Sequence, residues 1–282
     1  MELINFRNND KTEHSSLIEK VCENLALPDS TFLGTRITKK MLVDNNELSS
    51  NDKKLVTDVI QSIEWQNTLK PETLNVPIYV TDTVEYIEIA VIRVVLKSEI
   101  KNKTKLKNVA KLLHTLIPYP VILLLELGEE LAISLADKRI NQADKSKLVI
   151  EHIYNSDWLS STSLTENENN FLNDFSLKNV SSLNYFELYQ DFISMLIALD
   201  VSCLSGVYRT KSIQGDLTEL KFVAKSNEDK TILLHKLATL EADLTGIRNR
   251  LKKETQMNQK LKLNVEAKKI KLSINKIRSC LS

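Results

Sequence analysis

Apolar residues recur along this chain at intervals that predict helices near its start and strands in its middle. Two early stripes have the i, i+3, i+4 spacing of a buried helix face. They consist of Leu17, Ile18, Val21 and Leu25 in the first case and of Val56, Val59, Ile60 and Ile63 in the second. We therefore predict one helix that ends before Pro28 and a second that is capped by Asn51 or Asp52 and ends near Leu69.

The middle of the chain predicts a sheet, with strands at residues 85–97, 121–127, 131–135 and 148–154. The first of these is rich in Val and Ile on both alternating faces, which is typical of an interior strand. An apolar stripe from Leu106 to Leu116 predicts a helix between the first two strands. This order indicates an α+β fold with a mixed β-sheet core and flanking helices.

Composition changes after the predicted sheet. Residues 155–184 are rich in Ser, Thr and Asn, which predicts a long surface connection lying over the core, with Trp158, Phe171 and Phe175 as aromatic anchors. Residues 186–199 are apolar nearly all round and predict a core helix, and residues 217–223 predict a further strand.

The end of the chain predicts a long amphipathic, coiled-coil-like helix, because its apolar residues follow a heptad seam. The helix-pairing residues of this seam are Leu233, Leu237, Leu240, Leu244, Ile247 and Leu251. The seam falters across residues 252–260 and resumes in another phase at Leu263, and no proline interrupts the segment. We predict one continuous helix, while a bend or an antiparallel hairpin near Asn258 stays open as the alternative.

These patterns divide the chain into an N-terminal helical segment at 1–80, a sheet-containing core at 81–226 and a basic C-terminal helix at 227–282. We expect the first two parts to fold without the third, because their strands and core helices supply their own apolar faces.

Charge is distributed unevenly along the chain. The segment from Arg248 to Arg278 contains eleven basic and two acidic residues, a net charge of +9, whereas the whole chain carries +1, so that the remainder carries −8. A basic tail on an acidic body bears on partners, and the open alternatives are DNA, a partner protein and the acidic body itself. The residues we predict to contact nucleic acid are Lys252, Lys253, Lys260, Lys262, Lys268, Lys269, Lys271, Arg36 and Lys39. No aromatic residue interleaves the tail lysines, so we expect no base stacking and no sequence preference there.

Most catalytic classes leave no trace in the sequence. The five glycines are isolated, which excludes the glycine-rich loops that hold nucleotide phosphates. The three cysteines are scattered, which argues against a zinc knuckle or a disulfide framework and fits a reducing cytoplasm. The longest apolar run, Val121 to Leu125, is too short for a membrane span. We expect a soluble, cytoplasmic protein without a cofactor or metal.

One enzymatic alternative remains open, a cryptic metal-dependent nuclease. Such an enzyme needs carboxylates on neighbouring strands to bind Mg²⁺. Glu126 and Asp137 lie on adjacent predicted strands, with Lys138 directly after the second. The spacing of acid and lysine differs from the usual acid-x-Lys pattern, so we expect no catalytic residue here.

Several segments together resemble a bacterial family, the domain of unknown function 4391. The resemblance lies in GTRITKK from Gly34, IEWQNTLKPETLNV from Ile63, EIAVIRVVLK from Glu88, IPYPVILLLEL from Ile117, EHIYNSDWL from Glu151 and KKETQMNQKLKLNVEAKKIK from Lys252. It implies an accessory role beside a helicase or a DNA methyltransferase in a restriction-like anti-phage defence system. It implies no catalytic residue. The alternatives are the nuclease and a purely structural homodimer that pairs through its C-terminal helix.

Overall fold

The computed structural model describes residues 16–44, 48–98, 103–144, 148–210 and 226–281. Its helices are α1 (Leu17–Leu25), α2 (Lys39–Asp44), α3 (Ser50–Asp58), α4 (Pro71–Leu74), α5 (Lys103–Leu116), α6 (Glu166–Asp174), α7 (Tyr185–Ser205), α8 (Asn227–Lys253) and α9 (Met257–Leu281). Its strands are β1 (Phe32–Ile37), β2 (Ile60–Leu69), β3 (Tyr79–Val80), β4 (Glu85–Tyr86), β5 (Ile89–Leu96), β6 (Val121–Leu127), β7 (Glu130–Ile140), β8 (Leu148–Asn155) and β9 (Leu159–Ser160). The predicted strand at 217–223 lies outside the described residues.

A mixed sheet forms the centre of the fold. Its strand order is β1-β2-β5-β6-β7-β8, with β9 paired to β7, and β3 pairs separately with β4. Neighbouring strands are antiparallel except β5 and β6, which are parallel and joined by α5. A parallel pair needs a crossover of this kind, and the apolar stripe of α5 covers the sheet there. The predicted α+β class with a mixed sheet and flanking helices is confirmed.

Each face of the sheet has its own hydrophobic core. The α5-side core contains buried residues of α3, α5 and one face of the strands, including Val56, Val109 and Leu113. The α7-side core contains α1, α6 and α7 together with the C-terminal helices. The alternation of β5 divides its side chains between the two cores: Val91 faces α7, whereas Ile92 faces α5.

Helix α7 is buried nearly all round, as its apolar composition predicts. Among the described residues it is the one helix that is long and apolar enough to span a membrane, but 61% of the window that passes this test is buried inside the protein. Burial of this extent is typical of a core helix, and the fold is of a soluble type. At its start, Asn184 caps the helix by accepting a hydrogen bond from the Glu187 backbone NH.

Two predictions for the N-terminal part are wrong. The second stripe does not belong to one helix, because α3 ends at Asp58, is capped by Ser49, and gives way to strand β2. The part at 1–80 is therefore not only helical, since it contributes β1 and β2 to the sheet. The basic stretch after Gly34 contains the second half of β1 and the start of α2.

The predicted connection at 155–184 contains more structure than expected. It includes β9 and α6, whose capping box joins Thr165 to Glu168. Phe171 and Phe175 are buried and anchor the segment in the α7-side core, as predicted, while Trp158 is half-buried beside the α5-side core.

Candidate functional site

The basic C-terminal segment is an antiparallel pair of helices, which we call the hairpin. Helix α8 ends at Lys253 and α9 begins at Met257, so the prediction of one continuous helix is wrong and the alternative of a hairpin is the correct one. The Glu254 carboxylate accepts hydrogen bonds from the backbone NH groups of Thr255 and Gln256 at 2.8 and 2.9 Å. Farther from the turn, Arg278 donates to Glu241 at 2.8 Å and ties α9 to α8.

The heptad seam of α8 is covered within the chain. Leu237, Leu244 and Ile247 are buried, and Leu233, Leu240 and Leu251 are partly buried against the same core. Residues of α9 share this core and are Ala267, Ile274, Ile277 and Leu281. The seam therefore packs in one core with α9 and the body, which leaves little of it for a second copy, and its pairing with another chain stays a prediction.

The hairpin is attached to the body through the start of α8. The Asn227 side-chain amide donates to the backbone carbonyl and side-chain oxygen of Gln190 at 2.8 and 2.9 Å, and the Lys230 ammonium donates to Ser194 at 3.4 Å. The later residue of α8 thus contacts the later residue of α7, so the two helices run parallel here. Helix α7 ends about 22 Å beyond Gln190 and α8 about 39 Å beyond Asn227, at 1.5 Å per residue. The far half of the hairpin therefore extends past the end of α7.

The part of the hairpin around its turn, residues 248–266, is largely exposed, with Leu251 and Leu263 partly buried against the α7-side core. No residue in it is buried, whereas Ile247 before it and Ala267 after it both are. We call residues 248–266 the tip. Four of the predicted nucleic-acid contacts belong to the tip, namely Lys252, Lys253, Lys260 and Lys262, and Lys268, Lys269 and Lys271 follow on α9. All are exposed except Lys260, which is half-exposed.

Arg36 and Lys39 lie elsewhere, at the edge of the sheet where β1 ends. The Lys39 and Lys97 ammonium groups both donate to the Thr57 carbonyl oxygen, at 3.4 and 2.9 Å. Burial, followed by the charges of Lys97 and Arg36, lowers the pKa of Lys39. These cations form a second basic site, which we call the β1 triad (Arg36, Lys39, Lys97). Sequence reasoning missed Lys97, because only the pairing of β2 with β5 brings it there.

The two carboxylates of the nuclease alternative do not meet. Glu126 pairs in register with Leu131, and Asp137 lies six residues farther along β7, about 20 Å away at the rise of a strand. Glu126 accepts from the Arg93 guanidinium at 2.7 Å. Asp137 accepts from Tyr154 at 2.8 Å and from Gln190 at 2.6 Å. The proposed two-carboxylate site is therefore not assembled by these residues.

Asp137 instead borders a cavity of about 690 Å³ between β7, β8, α7 and the start of α8. Burial raises the pKa of its carboxyl group, and the hydrogen bonds from Tyr154 and Gln190 oppose that rise. The neighbouring residue Lys138 points to the other face of the sheet, where its ammonium donates to the carbonyls of Ile117 and Tyr119, both at 2.6 Å. Asp137 thus supports the junction between sheet and helices.

Metal chemistry has no set of ligands in the part of the chain that the structure describes. No group of three or more His, Cys, Asp or Glu side chains there is placed to hold a metal ion. The buried His114 contacts the Ser134 hydroxyl at 3.0 Å, and burial lowers its pKa well below the usual range.

The geometry defines a class of protein: a mixed-sheet α+β body that presents a basic helical hairpin. A comparison with protein families shows the family to which the chain belongs. The family described as "Domain of unknown function (DUF4391)" matches residues 25–274, most of the chain, and the protein belongs to this family. No curated protein and no solved structure matches the chain.

Proposed function

We propose that this protein is a non-enzymatic accessory subunit that contacts DNA through the basic hairpin. The observation that carries the proposal is the tip, a stretch of 19 residues without a buried side chain in which lysines and arginines greatly outnumber acids. Cations held this way repel one another unless an anion lies nearby. A polyphosphate backbone supplies that anion, and displaced counterions make the contact favourable at low salt.

The chemistry of the hairpin favours a contact that ignores base sequence. Its cations are mostly lysines, which act as point charges toward phosphates, and it contains no Phe, Tyr or Trp. They lie on several sides of α9: Lys262 and Lys269 share one side, while Lys260 and Lys271 share another. Such a distribution suits a flexible, sequence-independent contact better than insertion of one helix face into a groove.

A second observation favours docking to a protein partner. Met257, Leu261 and Val265 follow one another at intervals of four residues on α9 and are exposed to 74%, 63% and 50%. Exposed apolar side chains at helical spacing mark a surface that another helix can cover. We propose that this face docks a helicase or DNA methyltransferase subunit in the cytoplasm, within an anti-phage defence system. The family resemblance supports that setting as an analogy.

The DNA contact is tested by fluorescence anisotropy with a labelled duplex of about 30 base pairs, titrated between about 50 and 200 mM salt. The test variant replaces Lys252, Lys253, Lys268 and Lys269 by Glu. We expect weaker binding to every duplex sequence and a log–log salt slope that is flatter by about one for each lost phosphate contact.

The matched control replaces four exposed cations outside the hairpin, Lys107, Lys111, Lys178 and Arg209, by Glu. It makes the same change in net charge and should retain most of the affinity. Equal losses in both variants, or no binding by the unmodified protein at low salt, would show that the hairpin is not a DNA-binding surface.

A further inference from the structure

Strand β1 is exposed on both of its faces. Within the part of the chain that the structure describes, it is an edge strand that pairs only with β2, and each residue from Phe32 to Arg36 is exposed. Phe32 and Leu33 present 65% and 52% of their surface to solvent. An edge strand normally keeps one face on the core, so two apolar side chains in water on such a strand indicate a surface that binds something.

The exposed Phe32 ring lies over the backbone of Gly34. It lies against Gly34, where an added Cβ would be 2.8 and 2.9 Å from two ring carbons. Gly34 also has a φ of +59°, which favours glycine. The absence of a side chain at position 34 therefore makes room for the ring. An exposed aromatic ring can stack on another ring.

The β1 triad stands at the other end of the same strand. Arg36 is four residues beyond Phe32, about 13 Å along an extended chain. Lys39 and Lys97 converge on one carbonyl oxygen, that of Thr57, and the nearby Arg36 adds a third positive charge. Asp58 acts on Lys39 from nearby and Glu64 lies opposite Arg36 in the pairing with β2, so two acids offset the three positive charges in part. Two ammonium groups on one acceptor, with a guanidinium nearby, make a favourable place for a phosphate.

We propose that β1 and the β1 triad bind single-stranded nucleic acid, with Phe32 stacking on a base and the triad contacting phosphates. An exposed aromatic ring and a group of cations farther along the same strand supply the two elements of single-strand binding. A duplex keeps its bases stacked on one another, so the ring would gain nothing from it. An added protein strand is disfavoured, because the register of β1 shifts between Phe32 and Thr35 and breaks the regular ladder at this edge. The proposal adds to the hairpin contact without depending on it.

The test measures binding of the full chain to a labelled oligothymidylate of about 20 nucleotides and to a duplex of the same length. Replacing Phe32 by Ala should weaken binding of the oligothymidylate by about 5- to 150-fold, the range expected for one stacked base, and leave the duplex affinity unchanged. Replacing Phe32 by Trp should restore the affinity. The control Leu33→Ala removes a neighbouring apolar side chain that is also exposed, and it should change neither affinity.

The triad is tested by Arg36→Gln combined with Lys97→Gln, which should flatten the salt slope for the oligothymidylate. The hairpin variant with four glutamates should lose duplex binding and keep the dependence on Phe32, so the two proposals fail separately. The thermal transition of each variant shows that it is folded. Two results on affinity would overturn the proposal: an unchanged affinity of Phe32→Ala for the oligothymidylate, or an equal loss of affinity for the oligothymidylate and the duplex. A third would be that polyglutamate displaces the oligothymidylate equally well from Phe32→Ala and from the unmodified protein.

Discussion

Gln190 donates from its side-chain amide to the Asp137 carboxylate at 2.6 Å and, on its other side, accepts from Asn227 at the start of α8. One side chain therefore connects the sheet, the core helix α7 and the hairpin. The arrangement requires an amide at position 190, because the same group must donate in one direction and accept in the other. A carboxylate there would repel Asp137.

Gln190→Glu tests this connection. Two carboxylates at hydrogen-bond distance cannot both ionise without cost, so their folded-state pKa values rise. Carboxyl groups with a raised folded-state pKa keep their protons in the folded chain above about pH 4, where the unfolded chain has released them. The free energy of unfolding therefore falls as pH rises above this value. We expect the variant to approach the unmodified protein near pH 4 and to be less stable by about 2 to 4 kcal/mol at pH 7 in urea unfolding.

The same substitution at the exposed Gln259 is the control, and it should not change the pH dependence. A Gln190→Glu variant whose stability runs parallel to that of the unmodified protein across this range would show that the side chain moves away from Asp137 at little cost.

Lys138 gives a pH dependence of the opposite sign. Burial lowers the pKa of its ammonium to about 7 from the ordinary 10.5. Between these two values the unfolded chain holds a proton that the folded chain has released, so stability rises with pH across this window. Relative to Lys138→Met, the unmodified protein should gain up to about 1.4 kcal/mol per pH unit above pH 7. Lys111→Met, at an exposed position of α5, is the control and should give parallel curves.

The hairpin is the part whose removal should matter most for stability. Buried residues of α8 and α9 belong to the same core as α7. This shared core argues against independent folding of the chain up to residue 226. Deleting residues 227–281 should expose apolar surface on α7, and we expect binding of a hydrophobic dye and loss of the cooperative thermal transition.

A shorter deletion provides the comparison. Replacing the tip by about six Gly and Ser residues removes no buried side chain and should keep the transition. If the longer deletion unfolds as cooperatively as the full chain does, residue 226 is a true domain boundary.

The error over the second stripe has a local cause. Strand residues that alternate share a face at intervals of two, but the register of β2 shifts between Ile60 and Ser62. Ile60 and Ile63 therefore both face the α5-side core at an interval of three. Together with Val56 and Val59 they reproduce the spacing of a helix. The pattern was real, and only the pairing with β5 could have revealed the bulge.

The hairpin was foreseeable in part. The apolar stripe changes phase after Leu251 because α8 and α9 are separate helices, each with its own apolar face. No proline or glycine marks the turn, which Glu254 stabilises through backbone contacts that leave no distinctive signal in sequence. Strand β1 could not be predicted from the sequence, because a strand exposed on both faces lacks the alternation of apolar and polar residues that indicates a strand. The buried strands, by contrast, were predictable from Val and Ile alone.

The two cores are completed at different moments of synthesis. The buried members of the α5-side core span Leu42 to Ala132, so the nascent chain holds all of them once its first half has been made. The α7-side core contains residues from Leu17 to Leu281, so this core is complete only after α9 has been made. A ribosome-bound chain therefore carries one finished face and one open, apolar face until α9 has been made, and this interval is the period of greatest need for a chaperone.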